Sequence, residues 1–458
     1  MEDFMKKIMI AAASSGAGKT TITLGLMCAL QERGLSVQPY KVGPDYVDTQ
    51  YHTRITGRAS RNLDMYLVPD EKVLRSLFEK EASKADIAVI EGVMGLYDGL
   101  GSDKNCCTSA AIAKKLNCPI VLVIDGKAAS TSVAAVVKGF VDFDPDLTII
   151  GVIINNVASE DHYYLIKKAI TRYTKVQVFG YLKREPSFAL PSRQLGLVPN
   201  QEIDGIVEKI KDISQRLQET VAIDQLLSCL RDETIAPALE SRMDFSDLTI
   251  AYAQDKAFHF YYEDNLEALR NYNVALRTFS PLKDSELPPA DLYYIGGGYP
   301  EEFAAELARN RKMAEALLAK HHTGVPILAE CGGLMYLGET LLTKEGAFSM
   351  VGIFKGTSQM TNRLKRFGYC KALASQDTLI AKKDEIIRGH EFHHSVFESS
   401  ESPVFAMSKE RDGIVVKRWW GGYQKNNTFA SYIHLHFYQQ PQFLEKLLQK
   451  VRESRKNI

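Results

Sequence analysis

The stretch "AAASSGAGKTT", residues 11–21, closes a short apolar run, "KIMIAA" (7–12), and opens a segment with apolar residues at helical spacing, "TTITLGLMCALQER" (20–33). A strand, a glycine turn and a helix in direct succession predict a phosphate-binding loop, because the turn aims backbone N–H groups at an anion and the helix N-terminus adds its dipole. Gly18, Lys19 and Thr20 match the usual pattern, while Ala13 stands where its first glycine belongs. The expected ATP-binding set is Ser15, Gly16, Gly18, Lys19, Thr20 and Thr21, with Lys19 reaching the β and γ phosphates and Thr20 offering its hydroxyl to magnesium.

Outward from this loop, apolar runs recur at 36–42, 86–92, 119–125, 147–155 and 176–182, separated by helical patterns. That alternation predicts an α/β fold with a parallel sheet wrapped by helices. A charged, weakly periodic stretch, "RDETIAPALESRMDFSD" (231–247), then precedes a second series of β-rich runs at 248–255, 274–280, 291–298 and 325–331. Two domains are expected, 1–240 for nucleotide chemistry and 246–458 for a second α/β domain. At 458 residues the chain is long enough for two cores. Lys plus Arg and Asp plus Glu both number 56, so no field of one sign favours a nucleic acid or an anionic membrane. Seven cysteines without metal spacing read as thiols of a reducing compartment. A cytoplasmic protein acting on small molecules is the expectation, with no nucleic acid, no membrane and a homodimer left open.

Carboxylates for the metal should come from neighbouring strand ends. "KVGPDYVDTQYH" (41–52) places Lys41, Asp45 and Asp48 after the second strand, and "VIEGVMGLYDG" (89–99) places Glu91 at a strand end with Asp98 beyond it. Asp45 and Glu91 are the expected Mg2+ ligands beside Thr20, since a hard cation prefers oxygen. Lys41, Asp48 and Asp98 are assigned to the substrate or acyl-phosphate site. "IINNV" (153–157) puts Asn155 and Asn156 either at an adenine or in a capping role.

In "VPILAECGGLMYL" (325–337) a strand gives way to a helical pattern at Cys331. Such a turn presents a side chain the way a nucleophile elbow does, and a helix N-terminus favours thiolate over thiol. "SYIHLHF" (431–437) offers a base in His434, with His436 on the same face of a strand. "YYIGGGYPEEF" (293–303) offers Gly297 and Gly298 as backbone donors to an oxyanion. "GHEFHHS" (389–395) reads as a structural loop rather than a metal site, and "FHFYY" (258–262) as core rather than a macrocycle platform.

Taken together, "SSGAGKTT" (14–21), "KVGPDYVD" (41–48), "EGVMGLYDG" (91–99), "AYAQDKAFHFYY" (251–262), "FSPLKD" (279–284), "GGGYPE" (296–301), "AECGGLMYL" (329–337), "GHEFHHS" and "SYIHLHF" resemble the cobyrinic acid a,c-diamide synthase family over nearly the whole chain. The resemblance implies a dethiobiotin-synthetase-like ATP domain joined to a class I type glutamine amidotransferase domain. It further implies cobyrinate, glutamine and ATP as substrates, Cys331 as nucleophile, His434 as base, and amidation of the c and then the a acetate through acyl phosphates. Ammonia would need a protected path to the activated carboxyl group. Many class I glutaminases carry an acid two positions after the histidine, where this chain has His436, so the third member of a triad is unassigned. Ser14 stands where related partition ATPases have a lysine, and Gln194 in "PSRQLGLVP" (191–199) departs from the expected family segment. Two alternatives stay open: the same chemistry on hydrogenobyrinate or nickel sirohydrochlorin, and a nucleotide-switched binding protein with an inert thiol domain.

Overall fold

A computed structural model describes residues 4–188, 200–234 and 243–456. "PSRQLGLVP", with Gln194, lies outside the described residues, as does part of the charged stretch 231–247. The chain divides into two compact units, residues 1–65 with 71–239, and residues 66–70 with 240–458. Among the described residues no helix is long and apolar enough to cross a membrane, and all seven cysteines are free thiols.

The first unit is built on seven parallel strands: β1 (Phe4–Ala12), β2 (Val37–Val42), β3 (Arg61–Leu63), β4 (Ile87–Glu91), β5 (Ile120–Asp125), β6 (Ile149–Val157) and β7 (Gln177–Lys183). Their order is β3-β2-β4-β1-β5-β6-β7, with the short antiparallel β8 (Glu233–Thr234) on β1. Strands β2 and β4 are buried throughout, as expected when helices cover both faces of a parallel sheet. The chain leaves β1 toward one edge and returns at β5 to the other. This change of direction opens a crevice at the carboxyl ends of β1, β4 and β5, where such sheets bind ligands. Helix α1 (Lys19–Glu32) starts there, and α2 (Val47–Thr56) follows β2. All six strands expected in this unit are present; β3, only three residues long, was not anticipated because so short a run carries no periodicity.

The second unit has a central sheet in which β9 (Thr249–Ala253), β11 (Ala275–Phe279), β12 (Leu292–Ile295) and β14 (Ile327–Glu330) run parallel, continued by Thr428–Ser431. The two-residue β13 (Gly297–Gly298) pairs with β10 (Phe258–Phe260). Residues 338–425 add two mainly antiparallel sheets that the sequence reading did not anticipate, since their strands are half exposed and lack long apolar runs. "FHFYY" is largely core: Phe258 and Tyr262 are buried, and the Tyr261 hydroxyl accepts from the Gly296 N–H at 2.8 Å. The strand expected under "SYIHLHF" is a correction. It is two pieces in different sheets, Thr428–Ser431 and His434–Leu435, and His436 lies beyond the second. "GHEFHHS" is likewise not a loop. Its first five residues finish the strand Ile386–His393.

Candidate functional site

The glycine loop has the geometry its sequence demands. Gly18 caps α1 in the left-handed region at φ 89°, and a Cβ there would fall 1.9 Å from the Asn155 amide nitrogen, so only glycine fits. Asn155 donates to the Ala17 carbonyl at 2.9 Å and thereby pins the loop, while Asn156 donates to Asp125 at 3.0 Å. Gly16, also at positive φ, faces open space.

Below the loop, the fully buried Glu91 gathers the first unit's charges. Its Oε1 accepts from the Thr20 hydroxyl at 2.6 Å and from Lys41 Nζ at 2.9 Å, and lies 3.7 Å from Lys19 Nζ. Its Oε2 is 2.7 Å from His52 Nε2, whose Nδ1 reaches the Ser60 hydroxyl at 3.2 Å. Burial alone would raise the Glu91 carboxyl, but Lys41, His52 and Lys19 outweigh it and hold the group well below its usual range. Lys41 is buried as well; burial opposes its charge, yet Asp48 at 2.6 Å, Glu91 and Asp45 hold it above its usual range. Lys19 shifts the other way, lowered by burial and by Lys41. An anion at the loop would reverse that shift.

The structure thus brings Thr20, Lys19, Lys41, Asp48 and Glu91 into one network. Asp45 is placed differently. Its carboxylate accepts from the Val47 and Asp48 N–H groups at 2.8 and 3.4 Å, capping α2, and burial together with Asp48 pushes it up to about 7. Asp98 is exposed and accepts from the Gly95 N–H at 3.0 Å. His52 was not singled out from sequence; its distance from Lys41 matches no strand-end pattern, and only the packing of α2 carries it to Glu91.

In the second unit Cys331 sits between β14 and the short helix Gly332–Leu337 with φ 49° and ψ −102°, a conformation costly for any residue with a side chain. Its N–H donates to the Ser431 carbonyl at 2.7 Å, which fixes the elbow. Gly297 lies against His434, since a Cβ there would be 2.5 Å from its Cε1, and the Gly298 N–H lies near Gly332. The thiol differs from the expectation of a resting thiolate. Burial and the partly buried Glu301 push it up, and the Gly332 N–H only partly opposes them. A six-residue helix has too few aligned peptides to prevail.

Glu330, one residue before the thiol, went unnoticed in the sequence. Its Oε1 accepts from the Tyr294 hydroxyl at 2.9 Å and its Oε2 stands 3.7 Å from His434 Nδ1. All three side chains are buried. His390 stacks on His434 with ring centres 4.8 Å apart, and its Nε2 is 2.7 Å from the Tyr262 hydroxyl. Burial pushes His436 down to about 3, so it is neutral. Among the described residues no group of three or more His, Cys, Asp or Glu side chains is arranged to hold a metal ion unaided.

Residues 8–198 match the family model of the CobQ/CobB/MinD/ParA nucleotide binding domain, and residues 249–442 that of the CobB/CobQ-like glutamine amidotransferase domain. The chain is 55% identical over 446 residues to the cobyrinate a,c-diamide synthase of Listeria innocua, covering 97% of this chain and 99% of the relative. It is 56% identical over 438 residues to that of Listeria monocytogenes serotype 4b, covering 95% and 97%. With that of Streptococcus sanguinis it shares 54% over 452 residues, covering 98% and 100%. A nucleotide-binding half and a glutamine amidotransferase half, each matched and each matched again in full-length relatives, leave one assignment: the chain belongs to the cobyrinate a,c-diamide synthase family.

Proposed function

We propose that this chain amidates two acetate carboxylates of cobyrinate, consuming one ATP and one glutamine for each. The observation that carries the reading is the presence, in one chain at this similarity to the synthases, of a phosphate loop over Glu91 and a strained thiol elbow at Cys331.

In the first unit Lys19, whose charge burial and Lys41 disfavour, and the loop N–H groups bind the ATP phosphates. The Thr20 hydroxyl and Glu91 carboxylate, 2.6 Å apart, are hard oxygen donors that fit Mg2+. The cation neutralises charge on the transferring phosphoryl group when bound. Asp45 completes that donor set only by giving up its cap on α2. A substrate carboxylate attacks the γ-phosphorus, ADP leaves, and the resulting acyl phosphate is the electrophile for ammonia. Lys41 and Asp48 hold Glu91 in place, and the exposed Asp98 is left to meet the macrocycle.

In the second unit His434 takes the Cys331 proton as sulfur attacks the glutamine amide carbon. The oxyanion forms at the N–H groups of Gly297 and Gly298. Collapse returns the proton to the departing nitrogen and releases ammonia; water then cleaves the γ-glutamyl thioester to glutamate. Glu330 orients His434 in place of the missing acid two residues after it.

Incubation with ATP, Mg2+, and glutamine or ammonium, and mass analysis of the products, tests the substrate. Cobyrinate should gain two amides from either nitrogen source. A preference for hydrogenobyrinate or nickel sirohydrochlorin would remove the cobyrinate assignment.

The role of Glu330 has its own test. Glu330→Gln should lower kcat for glutamine hydrolysis by roughly 10- to 100-fold with KM within about twofold, because only the base is disturbed. Glu330→Asp, which keeps a carboxylate, should recover part of that loss. Full kcat in Glu330→Gln would show that Glu330 does not act on His434.

A further inference from the structure

Glu91 is gripped from three elements at once. Thr20 on α1 and Lys41, its register partner on β2, donate to Oε1 at 2.6 and 2.9 Å, whereas the group at Oε2 is His52 on α2, with Nε2 2.7 Å away. The two oxygens of one carboxylate therefore have different neighbours. An ionised carboxylate only accepts, so Nε2 carries the proton of that bond and Oε2 is engaged.

His52 is itself held on both sides and is wholly buried. It lies four residues after Asp48 on the same face of α2, so the helix that brings Asp48 to 2.6 Å from Lys41 also aims the imidazole at Glu91. Its Nδ1 stands 3.2 Å from the Ser60 hydroxyl, and the Ser60 N–H donates to the Thr53 hydroxyl at 2.9 Å. Turning the ring would break both of its contacts. A carboxylate held in this way presents its other oxygen alone, and that separates cations. Mg2+ takes a strict octahedral shell and accepts single carboxylate oxygens, whereas Ca2+ gathers about six to eight oxygens and readily takes both from one carboxylate.

We infer that His52 is a positioning residue that sets the cation specificity of the first unit: by holding Oε2 it leaves Glu91 one oxygen, Oε1, beside the Thr20 hydroxyl, which suits Mg2+ and disfavours Ca2+. The inference rests on the reading of Thr20 and Glu91 as the cation's donors. It also gives a reason for a buried histidine on Glu91 when Lys41 already supplies a charge, since Lys41 holds Oε1 and His52 holds Oε2.

Calorimetric titration of the full chain with the non-hydrolysable adenylyl imidodiphosphate, in Mg2+ and in Ca2+, gives a ratio of two Kd values that does not depend on the fraction folded. Wild type should favour Mg2+ by at least roughly tenfold. Two variants that differ by one methylene group then separate positioning from packing. The side-chain NH2 of His52→Gln reaches the place of Nε2, while that of His52→Asn reaches only the place of Nδ1. His52→Asn should lose most of the Mg2+ preference and His52→Gln should keep most of it. Ammonium-driven amidation should follow, with kcat at saturating Mg2+ lowered roughly 10- to 100-fold in His52→Asn, KM for the tetrapyrrole within about twofold, and much of the rate regained in His52→Gln. Equal loss in both variants would mean that His52 only fills space, and an unchanged ratio in His52→Asn would mean that it does not control Oε2. Either result overturns the inference and leaves Thr20 and Glu91 as donors, as does a wild-type chain that takes Ca2+ as readily as Mg2+. Where His52→Asn does not fold, crystals of the wild-type chain with the analogue and Mg2+ decide: Oε2 should stay within hydrogen-bond distance of His52, and both Glu91 oxygens on the cation would overturn the inference. If the wild-type chain binds the analogue equally well with Mg2+ and with a chelator, the reading of Thr20 and Glu91 falls and the inference with it.

Discussion

Cys331→Ala should abolish glutamine-driven amidation, by at least roughly 10⁴-fold, while amidation supplied with ammonium continues. The substitution is a clean one. Alanine keeps the Cβ that makes φ 49° costly, so the strain at the elbow is neither relieved nor increased. It removes a single buried sulfur, and the elbow's hydrogen bonds are made by the backbone of Cys331, Leu334 and Ser431. What disappears is the sulfur proposed to attack the glutamine amide. Glutamate release and mass analysis of the tetrapyrrole, each run with glutamine and with ammonium, separate the outcomes. A folded variant that lost ammonium-driven amidation too would contradict the assignment of carboxylate activation to residues around Lys19 and Glu91. Retention of glutamine-driven activity would remove Cys331 from the chemistry.

What could be read from sequence was whatever the chain writes contiguously. The phosphate loop was legible because strand, glycine turn and helix follow one another within residues 7–33, and because only glycine tolerates the position facing Asn155. The thiol elbow was legible for the same reason. Groups that act across the fold were not. His52 reaches Glu91 from 39 residues away and Asn155 reaches the loop from 138, distances that no local pattern records. Glu330 was hidden for a different reason: on an ideal strand it would point away from its neighbour at 331, and the turn at Cys331 breaks that alternation. The antiparallel sheets of residues 338–425 escaped notice because most of their strands are partly exposed and carry no long apolar run. Yet one of those strands carries His390, which stacks on His434, so the part of the fold least visible in the sequence bears a ring packed on the candidate base.

Glu91→Gln should stop amidation from both nitrogen sources, by at least roughly 10²-fold, and should also weaken the first unit. Glu91 is wholly buried and accepts from Thr20, Lys41 and His52 at once. A glutamine keeps one carbonyl oxygen for these donors and turns an NH2 group toward the rest. Lys41 then retains Asp48 at 2.6 Å but loses its second anion, and Lys19 loses its carboxylate neighbour. Breaking a buried pair in this way costs about 3–5 kcal/mol, enough to lower Tm by roughly 6–20 °C for a unit of this size. The pH dependence gives the sign. Because the folded protein holds the Glu91 carboxyl well below its ordinary range, its stabilising contribution is full above that range and fades as pH falls through the depressed value. The gap in stability between wild type and Glu91→Gln should therefore be widest near neutrality and close under acid. A gap that stayed constant down to strongly acid pH would mean that the charge of Glu91 does not hold the network together. Ammonium-driven amidation at the wild-type rate would remove the residue from the ATP site.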